Sequence, residues 1–292
     1  MAAPDVPASA VIATSGGGRP RRASRAGRDL AAAIGVGASL AAVILASLLF
    51  ERHFFVAVVA VSTAVGTWEL AGALRRGAGI AVPLPVLLVG GQAMVWLSWP
   101  FGLRALAVSF AVTALGVLLW RMRGEAAHYV RDVTAGLFTA AYVPLFCSFA
   151  TLLVVADDGL GRALTFMLCV VGSDIGGYAA GVLAGRHPMA PRISPKKSWE
   201  GFAGSQVVGV AAGAVCVSLL LDGTWWAGAL TGSLLVISAT LGDLVESMVK
   251  RDLGIKDMGN LLPGHGGLLD RLDSLLPTAV VAWVVLSLVV PG

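Results

Sequence analysis

WWAGALTGSLLVISATLGDLVESMVKR, Trp225–Arg251, changes character part-way along. Up to Gly242 it carries no charged side chain; then Asp243, Glu246, Lys250 and Arg251 follow within three turns. An apolar stretch of about 20 residues, rising 1.5 Å per residue, crosses the hydrocarbon of a bilayer. The stretch therefore reads as a helix that spans a membrane over 225–246 and leaves it carrying charge. Trp225 and Trp226 stand at the opposite end, where amphipathic rings favour the interface.

Eight more segments have the same length and apolarity, near 30–50, 54–74, 80–98, 102–120, 133–155, 162–184, 203–221 and 275–290. The composition agrees with them. Of 292 residues 57% are hydrophobic and only 13% charged, with a mean hydropathy of +0.83. A soluble domain carries about 25% charged residues. The fold class expected is all-α, a polytopic bundle of nine membrane helices. Cys147, Cys169 and Cys216 lie inside apolar runs without a CxxC or a neighbouring histidine. They read as small buried hydrophobes, which supports neither a disulfide framework nor a zinc site.

The net charge of +4 and the pI of about 9.3 raise the question of nucleic acid. Where the basic residues sit answers against it. With the N-terminus inside, all the lysines and arginines except Arg52, Arg104 and Arg162 fall in cytoplasmic segments. Cytoplasmic loops of membrane proteins carry such an excess, so the basic balance is a topology signal. Residues 1–29, rich in Ala, Gly, Ser, Pro and Arg, read as a disordered cytoplasmic tail. The rest divides into N-terminal spans over 30–160 and a C-terminal region over 161–292 with long cytoplasmic loops at 185–202 and 247–274. The expected location is the plasma membrane, with the polar site facing the cytoplasm.

The polar chemistry collects in those two loops. Asp243, Ser247 and Lys250 fall on one helical face, with Glu246 beside that stripe. Downstream come Lys256-Asp257 and Pro263-Gly264-His265-Gly266-Gly267, then Asp270-Arg271 and Asp273 at the start of the last helix. Glycines let backbone N–H groups approach an anion closely. The other loop holds Ser194-Pro195-Lys196-Lys197-Ser198, and the sixth span carries Ser173-Asp174, an acid near mid-membrane. Glu69, about two turns from Arg75 and Arg76, reads equally well as their structural partner. Oxygen ligands without a His/Cys cluster favour magnesium, one ion or two. The inventory suits a nucleotide and an anionic lipid, joined by a phosphoryl-type transfer.

The run from Ser247 through Lys250-Arg251 and Lys256-Asp257 to Pro263-Gly264-His265-Gly266-Gly267, Asp270-Arg271 and Asp273 closely resembles the signature of phosphatidate cytidylyltransferases. Ser173-Asp174 and Ser194-Pro195-Lys196-Lys197 resemble that family's upstream blocks, in the same order. Ser198 stands where the family is expected to have threonine, and the hydroxyl survives. The resemblance covers roughly 165–275. It implies CTP + phosphatidate → CDP-diacylglycerol + diphosphate, with magnesium held by Asp243 and Asp270, joined by Asp273. It implies Lys250, Arg251, Lys256, Asp257, His265 and Arg271 as catalytic residues. Ser173, Asp174, Ser194, Lys196, Lys197, Ser198, Ser247, Gly266 and Gly267 would bind substrate. The partners implied are CTP, phosphatidate and membrane lipids, with no nucleic acid, and the resemblance also suggests a homodimer. The rival readings are CTP-dependent transfer to a polyprenol or ether lipid, and a secondary transporter built around Asp174 and Glu69.

Overall fold

The computed structural model describes residues 39, 42–261 and 266–290. The tail over 1–29 and His265 lie outside the described residues. A helical segment over 42–50 is what they include of the first expected span. Helix α1 then covers Arg52–Ala78, α2 Leu84–Arg121 and α3 Tyr129–Ala140. A π-turn over Ala141–Leu145 leads directly into α4, Phe146–Val155. After α5 (Gly159–Ala184) come strands β1 (Pro188–Ala190) and β2 (Ser194–Ser198). Helices α6 (Trp199–Leu220), α7 (Trp225–Asp252), α8 (Leu269–Leu272) and α9 (Leu275–Val289) complete the chain. Among the described residues seven helical stretches are long and apolar enough to cross a membrane, α3–α4 and α8–α9 each counting as one. Large apolar side chains such as Phe50, Leu183 and Leu288 stand exposed, as lipid-facing residues do. The chain is a multi-pass helical membrane protein.

One sequence expectation changes in form. The third and fourth spans, placed over 80–98 and 102–120, are two helical arms, numbered together as α2 and separated at Gly102 (φ 63°, ψ −152°) just after Pro100. Its arms fold back on each other: Gly90 lies against Thr113, and a Cβ on Gly116 would come within 2.8 Å of Val86. Met94 and Leu106, one from each arm, share a buried cluster. The all-α expectation holds apart from one antiparallel hairpin, in which Pro188 pairs with Ser198 and Ala190 with Ser194. The π-turn contains Pro144, whose missing N–H breaks the regular ladder. Helix α1 ends because Gly79 takes a left-handed φ of 64° and donates to the Arg75 carbonyl.

Glycine sets how closely α5, α6 and α7 approach. A Cβ on Gly176 would lie 2.7 Å from the Gly204 carbonyl, and one on Gly213 only 2.7–2.8 Å from backbone atoms of Gly232. In lipid, where apolar side chains gain little from leaving the solvent, such small-residue contacts let van der Waals packing drive association. Gly213→Val forces the α6–α7 backbones apart and is expected to cost about 2 kcal/mol or more. It should appear as a lower melting temperature in detergent; an unchanged one would contradict the crossing described here.

Candidate active site

A polar cavity of about 320 Å³ lies between α5, β2, α6 and α7, lined in part by Asp174, Lys196, Lys197, Ser205, Thr240 and Asp243. Its walls follow from local chemistry. The Ser198 hydroxyl accepts the Gly201 N–H at 3.1 Å and so starts α6. Glu200, in the first turn, accepts the backbone N–H groups of Arg186 and His187 and pairs with the His187 ring. This returns the hairpin to the helix. Ser205 Oγ donates to the Ser173 carbonyl at 2.7 Å, joining α6 to α5. Ser173 is buried, whereas Asp174 is exposed into the cavity. Lys197 forms an ion pair with Asp243 and reaches the Thr240 carbonyl, while Lys196 stays exposed.

Along α7 the carboxylates continue inward. Glu246 is fully buried, and Lys250 Nζ lies 2.9 Å from it and 3.1 Å from Asp270. The face turned to the interior is therefore Asp243, Glu246 and Lys250, at i, i+3 and i+7, and not the Asp243–Ser247–Lys250 stripe expected from sequence. Ser247 is half-buried beside it. Both spacings follow one helical face, so sequence alone does not choose between them. Asp270 also accepts the N–H groups of Met258 at 3.0 Å and Gly267 at 2.8 Å. Asp273 accepts the Ser274 N–H at 2.7 Å, and its backbone carbonyl lies against Gly242, the residue next to Asp243.

Sequence reasoning missed what holds the glycine turn. Glu69, only 2% exposed, accepts the N–H groups of Leu268 at 3.0 Å and Leu269 at 2.8 Å. Its partner is thus the backbone of a loop far along the chain, and not Arg75 or Arg76. A Cβ on Gly267 would meet the Glu69 carboxylate at 2.5–2.7 Å, and one on Gly259 would overlap it. Arg76 donates to the Met258 carbonyl at 2.7 Å. Gly266 takes a φ of +81° against Asp257 and Asp270. Two carboxylates, one from each half of the chain, therefore clasp one turn through its backbone N–H groups.

The remaining predicted residues sit around this centre. Ser194 pairs in the hairpin, and Arg251 Nε donates to the neighbouring Ile193 carbonyl, tying the end of α7 to it. Lys256, Asp257 and Arg271 are exposed.

The donor set is oxygen-rich and not yet satisfied. Both Glu246 carboxylate oxygens are buried without a hydrogen bond, the Lys250 contact being an ion pair by distance alone. Among the described residues no three Asp, Glu, His or Cys side chains close on one point. The physical reason is that two ammonium groups, Lys197 and Lys250, already sit against three of the carboxylates. Asp243 beside Asp273, with Glu246 and Asp270 flanking them, fits a hard divalent cation, which favours carboxylate oxygen.

Comparison with known proteins shows what the whole chain is similar to. A family model described as the cytidylyltransferase family matches residues 31–289. A phosphatidate cytidylyltransferase of Mycobacterium bovis is 52% identical over 278 residues, covering 91% of this chain and 90% of its own. The Mycobacterium leprae protein of the same name is 50% identical over 280 residues, covering 90% and 89%. One from Brucella suis is 38% identical over 185 residues.

Glu69→Ala would leave two backbone N–H groups without their acceptor, at about 1–3 kcal/mol each. Amide hydrogen exchange should then quicken at Leu268 and Leu269, with Glu69→Gln in between because it keeps an acceptor oxygen. Exchange unchanged in both variants would contradict the clasp.

Proposed function

The chain belongs to the cytidylyltransferase family, and on that premise we propose how its polar end carries out the family's chemistry. It is a phosphatidate cytidylyltransferase, converting CTP and phosphatidate to CDP-diacylglycerol and diphosphate for phospholipid biosynthesis. The observation that carries the assignment of this chemistry to a place is the continuity of the cavity with the buried carboxylates. Asp243 lines the cavity, and Glu246, one turn further along α7, pairs with the Lys250 that also meets Asp270.

A phosphate oxygen of phosphatidate attacks the α-phosphorus of CTP, the bond to the β-phosphate breaks, and diphosphate leaves with its electron pair. The attacking phosphate is already anionic near neutral pH, so no strong general base is needed. Lys196 and Lys197 meet the triphosphate in the cavity, with Ser173, Asp174, Ser194 and Ser198 shaping its wall. Arg251, Lys256 and Arg271 neutralise charge at the rim; His265, which the resemblance adds to the catalytic residues, lies outside the described residues. Lys250 keeps Asp270 and Glu246 turned to the centre. Asp257 and Ser247 flank it, while Gly266 and Gly267 keep the approach free of side chains. Asp243, Asp270 and Asp273 would hold one or two magnesium ions, with Glu246 close by. When bound, they supply charge neutralisation on the phosphates. The chain's own part is largely to position and orient the two phosphate groups, the main demand of this chemistry.

The same reading gives nine spans, with the arms of α2 counted separately and the helical segment over 42–50 taken as the described part of the first. It places the N-terminus and the active site on the cytoplasmic face of the plasma membrane. Support comes from the lysine and arginine bias and from contacts at one end of the bundle. There Arg121 and Arg131 pair with Asp132, Arg131 reaches the Gly79 carbonyl, and Arg76 reaches Met258. Arg52 and Arg162, assigned outside, bond instead to Ala156, Asp158 and Val290. A homodimer rests on the family resemblance alone.

The test is CDP-diacylglycerol formation by purified protein in mixed micelles with phosphatidate, labelled CTP and magnesium. Product should disappear with EDTA and fall at least about 100-fold in Asp270→Asn, the scale of losing one preorganised electrostatic group. Full activity in EDTA would contradict the magnesium assignment, and a wild-type rate in Asp270→Asn would remove that residue from the site.

A further inference from the structure

A second polar cavity, of about 270 Å³, opens between the end of α1 and residues 258–261. Its lining includes Trp68, Glu69, Gly72, Arg75, Arg76 and Asn260. Two guanidinium groups face it, and among the described residues neither pairs with a carboxylate. Arg76 is held by the Met258 carbonyl at 2.7 Å. A Cβ on Gly72 would lie 2.9 Å from Arg76 Nη1, so that guanidinium crosses the helix where a side chain would otherwise stand. The single carboxylate in the wall, Glu69, has its oxygens turned to the Leu268 and Leu269 N–H groups. Cations at a helix C-terminus are favoured by its dipole alone, and that accounts for two arginines in the last turn. It does not account for the polar cavity that both arginines line together with Asn260.

We propose that this cavity binds a phosphomonoester anion, held by Arg75 and Arg76 with the Asn260 amide. Guanidinium donors match phosphate oxygens in geometry as well as charge. Two sources are at hand, the headgroup of phosphatidate and the terminal phosphate of the nucleotide. Trp68, half-exposed two turns before Arg75, and Leu261, exposed on the rim, give the mouth an apolar side suited to the lipid. The occupant would touch Met258 and Gly259, and the Met258 N–H is one that holds Asp270. Binding there would therefore steady the turn that carries the carboxylate. The identity of the lipid rests on the phosphatidate reading above; the preference for a phosphate does not.

Thermal unfolding of the purified protein tests this without relying on turnover. Dihexanoyl phosphatidate and CTP are added separately to wild type, Arg75→Ala and Arg75→Lys. The Arg75 side chain makes no hydrogen bond within the described residues, and the Ala and Lys variants keep the backbone carbonyl that caps α1, so the substitution spares the fold. Phosphatidate should raise the melting temperature of wild type, fail to do so in Arg75→Ala, and do so partly in Arg75→Lys, with the CTP response retained in all three. In steady state Arg75→Ala should raise the KM for phosphatidate about tenfold, the size of one lost charge-assisted hydrogen bond, and leave kcat near wild type. If the CTP response and its KM change instead, the phosphate bound is the nucleotide's. If neither ligand responds to Arg75→Ala, the cavity is not a phosphate site. A wild type that binds phosphatidate through Arg75 yet forms no CDP-diacylglycerol would refute the reaction and leave the cavity standing.

Discussion

Lys250 stands between Glu246 and Asp270, 2.9 Å from one and 3.1 Å from the other. The polar end of this protein depends on that ammonium group. Glu246 is fully buried among apolar helices, and a buried carboxylate is tolerated only when charge or hydrogen bonds compensate it. Removing one partner of a buried ion pair typically costs about 3–5 kcal/mol, because the other charge is left stranded. Lys197 does the same for Asp243 nearer the surface. The lysines hold the carboxylates together while keeping the cluster short of a closed cation cage.

The second half of the site is clasped by backbone instead of by charge. Glu69 and Asp270 approach one glycine turn and accept four N–H bonds from Met258, Gly267, Leu268 and Leu269. Glycine serves two ends here. Between α5, α6 and α7 it lets helices touch and so fixes the cavity walls; in the turn it makes room for the Glu69 carboxylate. Because Glu69 comes from α1, the first half of the chain supports the chemistry of the second.

The spans and the polar loops were legible in the sequence because both are local: a run of apolar residues, or charge gathered in a few turns. The resemblance named the reaction from residues that lie close in sequence. What it could not supply was partnership across the chain. Glu69 was weighed against Arg75 and Arg76, its neighbours, whereas its partners lie about two hundred residues on. Glu246 was set beside the functional stripe because two helical faces fitted the same spacing, and only packing shows which one is buried. The back-folded arms of α2 were read as two spans, in agreement with the break at Gly102. The hairpin at 188–198 is too short to leave a period.

The central proposal is that Asp243 and Asp273, with Asp270, would hold a divalent cation beside the nucleotide. Manganese, a paramagnetic stand-in for magnesium, allows this to be measured by electron paramagnetic resonance on purified protein with CTP. The account predicts a bound-manganese signal in wild type that is lost in the Asp243→Asn/Asp273→Asn double variant and kept in Arg75→Ala. A bound signal of wild-type strength in the double variant would place the cation elsewhere and contradict the account.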